Sequence, residues 1–230
     1  MDKKEAFIPY EHVEYPVDDM IDRSNSFYEF MNNRRSVRHF SNRKVPKSVV
    51  ENIIRAASTA PSGANKQPWT FCVISNEELK NKVRKLAEAE EKESYARRMS
   101  DEWLEDLVPI GTNWEKEFID TAPYIIVVMK KVYDMDEDGT KHSNYYVNES
   151  VGLACGLLIA AIHNAGLCTV THTPSPMNFL TKALSRPENE RAFLLMPIGS
   201  RRMPKCRTSK ERHLARWSFI MNKFCFVSHK

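Results

Sequence analysis

The stretch YVNESVGLACGLLIAAIHNAG, Tyr146 to Gly166, decides how the rest of the chain is read. From Val151 to Ile162 every residue is apolar or glycine, a 12-residue run short of the roughly 20 that span a bilayer. A helix apolar nearly all round belongs inside a protein, and Gly152 and Gly156, four apart, let another backbone come close. Gly166 ends it as a C′ glycine. Upstream, Pro123 precedes Tyr124-Ile125-Ile126-Val127-Val128-Met129, whose unbroken apolar run predicts a buried strand. Downstream, Leu167–Thr173 and Phe193–Ile198 predict two more strands, and Trp69–Ser75, aromatic and β-branched, a fourth. Farther out, an extended arm leads to a short helix near Ser24–Asn32. Ser48-Val49-Val50-Glu51 reads as a capping box, and Val49, Val50, Ile53, Ile54 and Ala57 follow at helical spacing. Asn76–Met99 is a long charged helix whose far end is so sparsely apolar that it reads as lid rather than core, and Asp136–Thr140 is a turn. The expected class is α+β: a central mixed sheet flanked by helices, in one domain.

Composition agrees. The chain has 230 residues, 42% hydrophobic and 28% charged, which excludes collagen-like, disordered and disulfide-scaffold readings. Cys72, Cys155, Cys168, Cys206 and Cys225 form an odd set without a CxxC pair, as reduced thiols would. There is no signal-peptide pattern behind Met1, so a soluble, cytoplasmic protein with no membrane span and no metal site is expected. The net charge of +4 is unevenly placed: residues 1–199 carry 25 basic and 29 acidic side chains, whereas residues 200–230 carry nine and one.

Four clusters carry candidate chemistry. Arg34-Arg35-Ser36-Val37-Arg38 offers three guanidiniums and a hydroxyl that can fork onto phosphate, or else a solvated basic patch. If extended, it puts Arg34, Ser36 and Arg38 on one side and Arg35 on the other. Ala60 to Trp69 is a small-residue loop in which Ser62 and Gly63 either line a ligand or merely connect. Thr171 and Thr173 share a face and can offer hydroxyls to a flat ligand, while His172 points the other way, unlike a metal ligand or general base. Glu91 and Tyr95 stack four apart on a helix. With Lys116 from another segment they can hold both ends of an amino-acid zwitterion, or form an ordinary charged surface. HExxH, the P-loop, GxGxxG and a nucleophilic triad order are all missing, so those chemistries have no support.

Together, Arg34 to Arg38, Ala60-Pro61-Ser62-Gly63-Ala64 with Gln67-Pro68-Trp69, Thr112-Asn113-Trp114, Asn148-Glu149-Ser150 and Asn164-Ala165-Gly166-Leu167 resemble the flavin nitroreductase superfamily. Within it, Glu91, Tyr95 and Lys116 in their contexts resemble the iodotyrosine deiodinase branch. The resemblance implies a homodimer with FMN at each interface, reductive removal of iodide from mono- and diiodotyrosine in one-electron steps, and a reductant such as an NADPH-linked reductase. It implies that Arg34, Arg35, Ser36, Val37 and Arg38 hold FMN, joined by Ser62, Thr171, His172 and Thr173. Thr171 would meet flavin N5 as the catalytic contact. Ala64 would offer its N–H to the substrate phenolate, Glu91 would take the ammonium, Lys116 the carboxylate, and Tyr95 would help to cover them. The competing expectations are a general FMN nitro- or quinone reductase, a flavin-poor non-catalytic homologue, and a nucleic-acid binder; the acidic body disfavours the last.

The resemblance stops at Gly199. The family continues approximately Gly-Tyr-Pro, then Val-Pro-Asp, with an arginine that reaches the FMN phosphate; here the chain reads Ser200-Arg201-Arg202-Met203-Pro204-Lys205-Cys206. Codons compatible with this stretch, read one base earlier, can give D-A-E-V-P-D-I-K-R and later P-L-G-E-M-V. Residues 1–199 are therefore expected to be the catalytic domain and residues 200–230 an atypical basic tail in a shifted reading frame, lacking the family arginine.

Overall fold

A computed structural model describes residues 9–202. Its centre is β2 (Tyr124–Lys131), in which Ile125 to Met129 are wholly buried. Because β2 is covered on both faces, its residues are apolar without alternation, as the sequence indicated. It pairs antiparallel with β1 (Trp69–Ile74) and with β6 (Glu190–Gly199), a bulge falling between Val128 and Met129. The two-residue β5 (Cys168–Thr169) closes the order β1-β2-β6-β5. All pairs between these strands are antiparallel; the expected mixed character rests on one parallel bridge, Ser36 to Thr169, where Val37 N–H donates to the Thr169 carbonyl at 3.0 Å. The strand expected over Leu167–Thr173 is so short because Val170 faces Pro197 in this register, and proline has no N–H to continue the ladder. The chain leaves the β6 edge after Thr169 and rejoins it at His172, whose amide and carbonyl pair with Leu195 at 2.9 and 3.0 Å.

Two helical layers cover the sheet. On one face Val50, Ile53 and Ala57 of α2 (Lys47–Ala57) and Val151, Leu158 and Ile162 of α6 (Val147–Asn164) pack on Ile126, Val128, Met196 and Ile198. On the other, Val83 and Ala87 of α3 (Glu77–Glu93), Phe118 and Ile119 of α5 (Phe118–Thr121) and Leu180 of α7 (Asn178–Ala183) pack on Ile125, Val127, Met129 and Leu195. Each such aliphatic side chain contributes about 1.5–3 kcal/mol on burial. Outside these layers, with no buried residue, are α4 (Asp101–Leu107) and the hairpin of β3 (Tyr133–Met135) and β4 (Lys141–Ser143), turned at Asp136–Thr140 as expected.

Several expectations are corrected. The first helix, α1 (Val17–Asn32), is twice the expected length, and none of its residues is buried. No capping box forms at Ser48: α2 starts two residues earlier, behind Pro46 as N-cap, which places Ser48 inside the first turn, and Glu51 pairs with Lys47 at 3.4 Å instead. The far end of α3 is packed, not lid-like, because Ala87, Glu91 and Ser94 are buried there through small size and charge pairing rather than bulk. Nor is α6 enclosed all round within one chain. Gly152 and Gly156 face open space, and Leu153 and Leu157 are 52% and 40% exposed. Ser200 and Arg202 extend β6 beside residues 39–41 through bonds of 2.9 Å. The remainder of the expected tail, 203–230, lies outside the described residues. No helix among the described residues is long and apolar enough to cross a membrane.

Candidate functional site

After α1, residues 34–38 run extended, pinned by the Val37–Thr169 bond. The expected alternation follows: Arg34 and Ser36 face one way and, with Ile159, Thr169, Val170 and Thr171, line a concavity of about 220 Å³. Arg35 is exposed, its guanidinium donating to the carbonyls of Arg34 (2.7 Å) and Asn32. Val37 packs into the core. Arg38 departs from the expected side: it is absent from the wall of the concavity and half-buried instead, where burial lowers its basicity and Tyr95 is the interacting neighbour. A guanidinium, hydroxyls and strand-end backbone around one hollow suit an anionic group such as phosphate.

Thr171 and Thr173 are exposed and His172 between them is buried, as period-two alternation requires. The imidazole stands edge-on to Phe118 at 5.6 Å, and its Nε2 has no partner among the described residues. Burial, reinforced by the positive charges of Lys116 and Arg38, drives its pKa down to about 3, so it is neutral. The ring does not project with the threonines; any His172 contribution beside Thr171 is through its backbone.

The structure brings Glu91, Tyr95 and Lys116 together across 25 residues of sequence. Glu91 lies in the last turn of α3; Lys116 sits just before α5. Lys116 Nζ lies 3.1 Å from Glu91 Oε2 and donates to the Asn113 carbonyl, with the two side chains 4% and 10% exposed. The same ammonium stands 5.7 Å from the Tyr95 ring centroid. Burial pulls Lys116 below its usual pKa against the opposing pull of Glu91, whereas burial and then the Glu91 charge push Tyr95 up. Such a carboxylate–ammonium pair, with a phenol above it, can open to receive the opposite charges of a zwitterion.

The Ser62–Gln67 loop sits at the other end of α6. Gly63 N–H donates to Ser150 Oγ (3.2 Å) and Gln67 N–H to Ser62 Oγ (2.9 Å). A Cβ on Gly63 would lie 2.9 Å from the Tyr145 carbonyl oxygen, so glycine is required by close approach. Ala64, Asn65 and Gln67 all have left-handed backbone (φ 50, 54 and 46°), a concentration of strain that local bonds hold in place.

Sequence reading missed three kinds of supporting residue. Arg84 and Glu88 of α3 bind the Lys116 segment, signalled only by their i,i+4 spacing to each other and the i,i+3 spacing to Glu91. Ser150 anchors Gly63, and Ser94 and Arg98 donate to the Ser175 carbonyl at 3.4 and 2.8 Å. No local pattern signals those long-range bonds.

Comparisons with known proteins agree with this geometry. The model of the Nitroreductase family matches residues 31–200. The chain is 60% identical over 199 residues to an iodotyrosine deiodinase of Haliscomenobacter hydrossis, covering 86% of this chain and 90% of that one. It is 50% identical over 197 residues to an iodotyrosine deiodinase of Hydra vulgaris, covering 85% and 72% respectively. Among solved structures it is similar to oxidized iodotyrosine deiodinase bound to FMN and 3-iodo-L-tyrosine: TM-score 0.69, 30% identity, covering 86% of this chain and 99% of that one.

Proposed function

The chain belongs to the nitroreductase family, and from that premise we propose that it is an FMN-dependent iodotyrosine deiodinase. The observation that carries the substrate is the buried Glu91–Lys116 pair beside Tyr95. On binding, the substrate ammonium replaces Lys116 as the partner of Glu91, and its carboxylate replaces Glu91 as the partner of Lys116. The ion pair is exchanged for two, so neither buried charge is left alone. Arg34 and Ser36, with the Thr169–Thr171 backbone, fit the cofactor phosphate and polar ring edge, with Arg35, Val37 and Arg38 completing the segment. Thr171, exposed at that wall and followed by Thr173, offers its hydroxyl to the ring, and Ser62 joins it from the far loop only across the dimer proposed below. Ala64, held left-handed by that loop, presents its N–H to the phenolate.

Reduced FMN supplies two electrons when bound. Overall the aryl C–I bond gives way to C–H, with one proton taken up and iodide released. The protein's part is to fix the ring, hold the zwitterion and exclude water.

We also propose a homodimer that shares its sites. The Ser62–Ala64 loop is tied to Ser150 at the start of α6, whereas Arg34, Ser36 and Thr171 gather by Ile159, about 14 Å along the helix axis at 1.5 Å per residue. The face between them, Gly152, Leu153, Gly156 and Leu157 with Pro61, is apolar and open. Two such faces packed antiparallel bring the loop of one protomer to the arginine segment of the other. A flavin-reducing partner of the NADPH-linked kind completes the cycle. Titrating FMN-loaded protein with 3-iodotyrosine tests the assignment: quenching of flavin fluorescence by iodotyrosine and weaker quenching by tyrosine are expected, and equal response to nitroarenes and iodotyrosine would overturn it.

A further inference from the structure

Lys116 is gripped at both ends by carboxylates from one face of α3. Its Nζ meets Glu91 at 3.1 Å, and its backbone N–H donates to Glu88 Oε1 at 2.8 Å. Glu88 and Glu91 are three residues apart, one helical turn, so they rise on the same face. The oxygen that takes the Lys116 N–H also takes Arg84 Nε at 2.7 Å, and Arg84 Nη1 continues to Asp120 Oδ2 at 2.9 Å. One turn earlier, buried Lys80 donates to the carbonyls of Asp120 and Ala122 at 3.0 and 2.9 Å. One turn later, Lys92 stands 3.9 Å over the Trp114 ring. Lys80, Arg84, Glu88 and Lys92, each four apart, thus fasten residues 114–122 along the helix that carries Glu91.

We infer that Glu88 is a positioning residue for substrate recognition: it fixes the Lys116 backbone so that the ammonium reaches the carboxylate of the amino-acid substrate at the distance Glu91 sets for the amine. Glu88 touches neither substrate nor cofactor. It acts through Lys116, and Arg84 holds its carboxylate in place. This inference rests on the zwitterion role proposed above for Glu91 and Lys116. A loop–helix staple would serve stability alone; a register device serves ligands that have both charges and is irrelevant to those that have neither.

The experiment uses FMN-loaded wild type, Glu88→Ala and Glu88→Gln, titrated with 3-iodotyrosine and with 2-iodophenol, which has the ring and halogen but no amino-acid end. Flavin fluorescence gives Kd, and FMN content and Tm report folding. Glu88→Ala is expected to weaken iodotyrosine by about tenfold or more, the size of one lost charge-assisted bond, with iodophenol affinity and FMN content unchanged. Glu88→Gln keeps an acceptor for the Lys116 N–H and is expected to restore most of the loss. Equal weakening of both ligands, or no rescue by Gln, makes Glu88 merely structural and overturns the inference; so does an unchanged Kd. If Glu88→Ala does not fold, Arg84→Met gives the same ligand contrast with Glu88 in place but unbraced, and an absent contrast there overturns it as well. Failure of the zwitterion reading itself looks different: wild type would then bind iodotyrosine no better than iodophenol.

Discussion

Glu91 and Lys116 meet at 3.1 Å in a place almost closed to solvent, 25 residues apart in sequence and on different elements. Isolated burial of either charge would be severely unfavourable. Each offsets the burial of the other, and the pair is ready for exchange with a ligand that carries the complementary pair.

The pair makes a thermodynamic cycle measurable. Glu91→Gln or Lys116→Met alone leaves one buried charge unpartnered and is expected to destabilise the protein by about 3–5 kcal/mol. The double variant should recover much of that loss. Iodotyrosine affinity should fall in all three while FMN remains bound. Denaturant unfolding with parallel flavin titrations checks each arm.

His172 sets a pH dependence. Its pKa is about 3 in the folded protein against 6.5 unfolded, because burial and the charges of Lys116 and Arg38 oppose protonation. The unfolded chain therefore binds the extra proton between these values, and stability is lost as pH falls from 6.5 toward 3. By pH 5 the loss is about 2 kcal/mol. His172→Leu, which also removes the unpartnered Nε2, should flatten the Tm profile between pH 5 and 7; an identical slope would contradict the assignment.

At the arginine segment, Arg34 faces the concavity and Arg35 does not. Arg34→Ala should weaken FMN binding by about 1.5–3 kcal/mol, tenfold or more, and Arg35→Ala by much less. Fluorescence titration of the apoprotein with FMN separates the two.

Gly63 is fixed by steric approach rather than by φ. Gly63→Ala places a Cβ 2.9 Å from the Tyr145 carbonyl oxygen and should displace the loop that carries Ser62 and Ala64. The expected result is a Tm loss of several degrees, from about 1–3 kcal/mol of overpacking, with weakened iodotyrosine binding.

Much of this was legible in local pattern. The unbroken apolar run of β2, the alternation of Arg34 against Arg35 and of Thr171 against His172, and the glycine stop at Gly166 each follow from the period of one element. What was lost depended on partners far along the chain. The Ser48 capping box failed because Pro46 starts the helix two residues early, a choice made by backbone geometry. The end of α3 looked like a lid because its burial comes from Ala87, Ser94 and a paired Glu91, which hydrophobic spacing does not register. The meeting of Glu91 with Lys116 came from family resemblance; spacing alone favoured an ordinary charged surface. The roles of Glu88 and Ser150 were not legible beyond helical spacing and a family-like stretch, since each accepts from a backbone N–H supplied by a distant loop.

The most direct test is anaerobic single turnover. Protein loaded with FMN and chemically reduced is mixed with diiodotyrosine, and flavin absorbance, iodide and the aromatic products are followed together. Reoxidation of the flavin with one iodide and one monoiodotyrosine formed per FMN, and conversion of that monoiodotyrosine to tyrosine only by a second equivalent of reduced protein, is the predicted result. Reduced flavin that persists beside intact diiodotyrosine, in protein that still reduces nitroarenes, would contradict it.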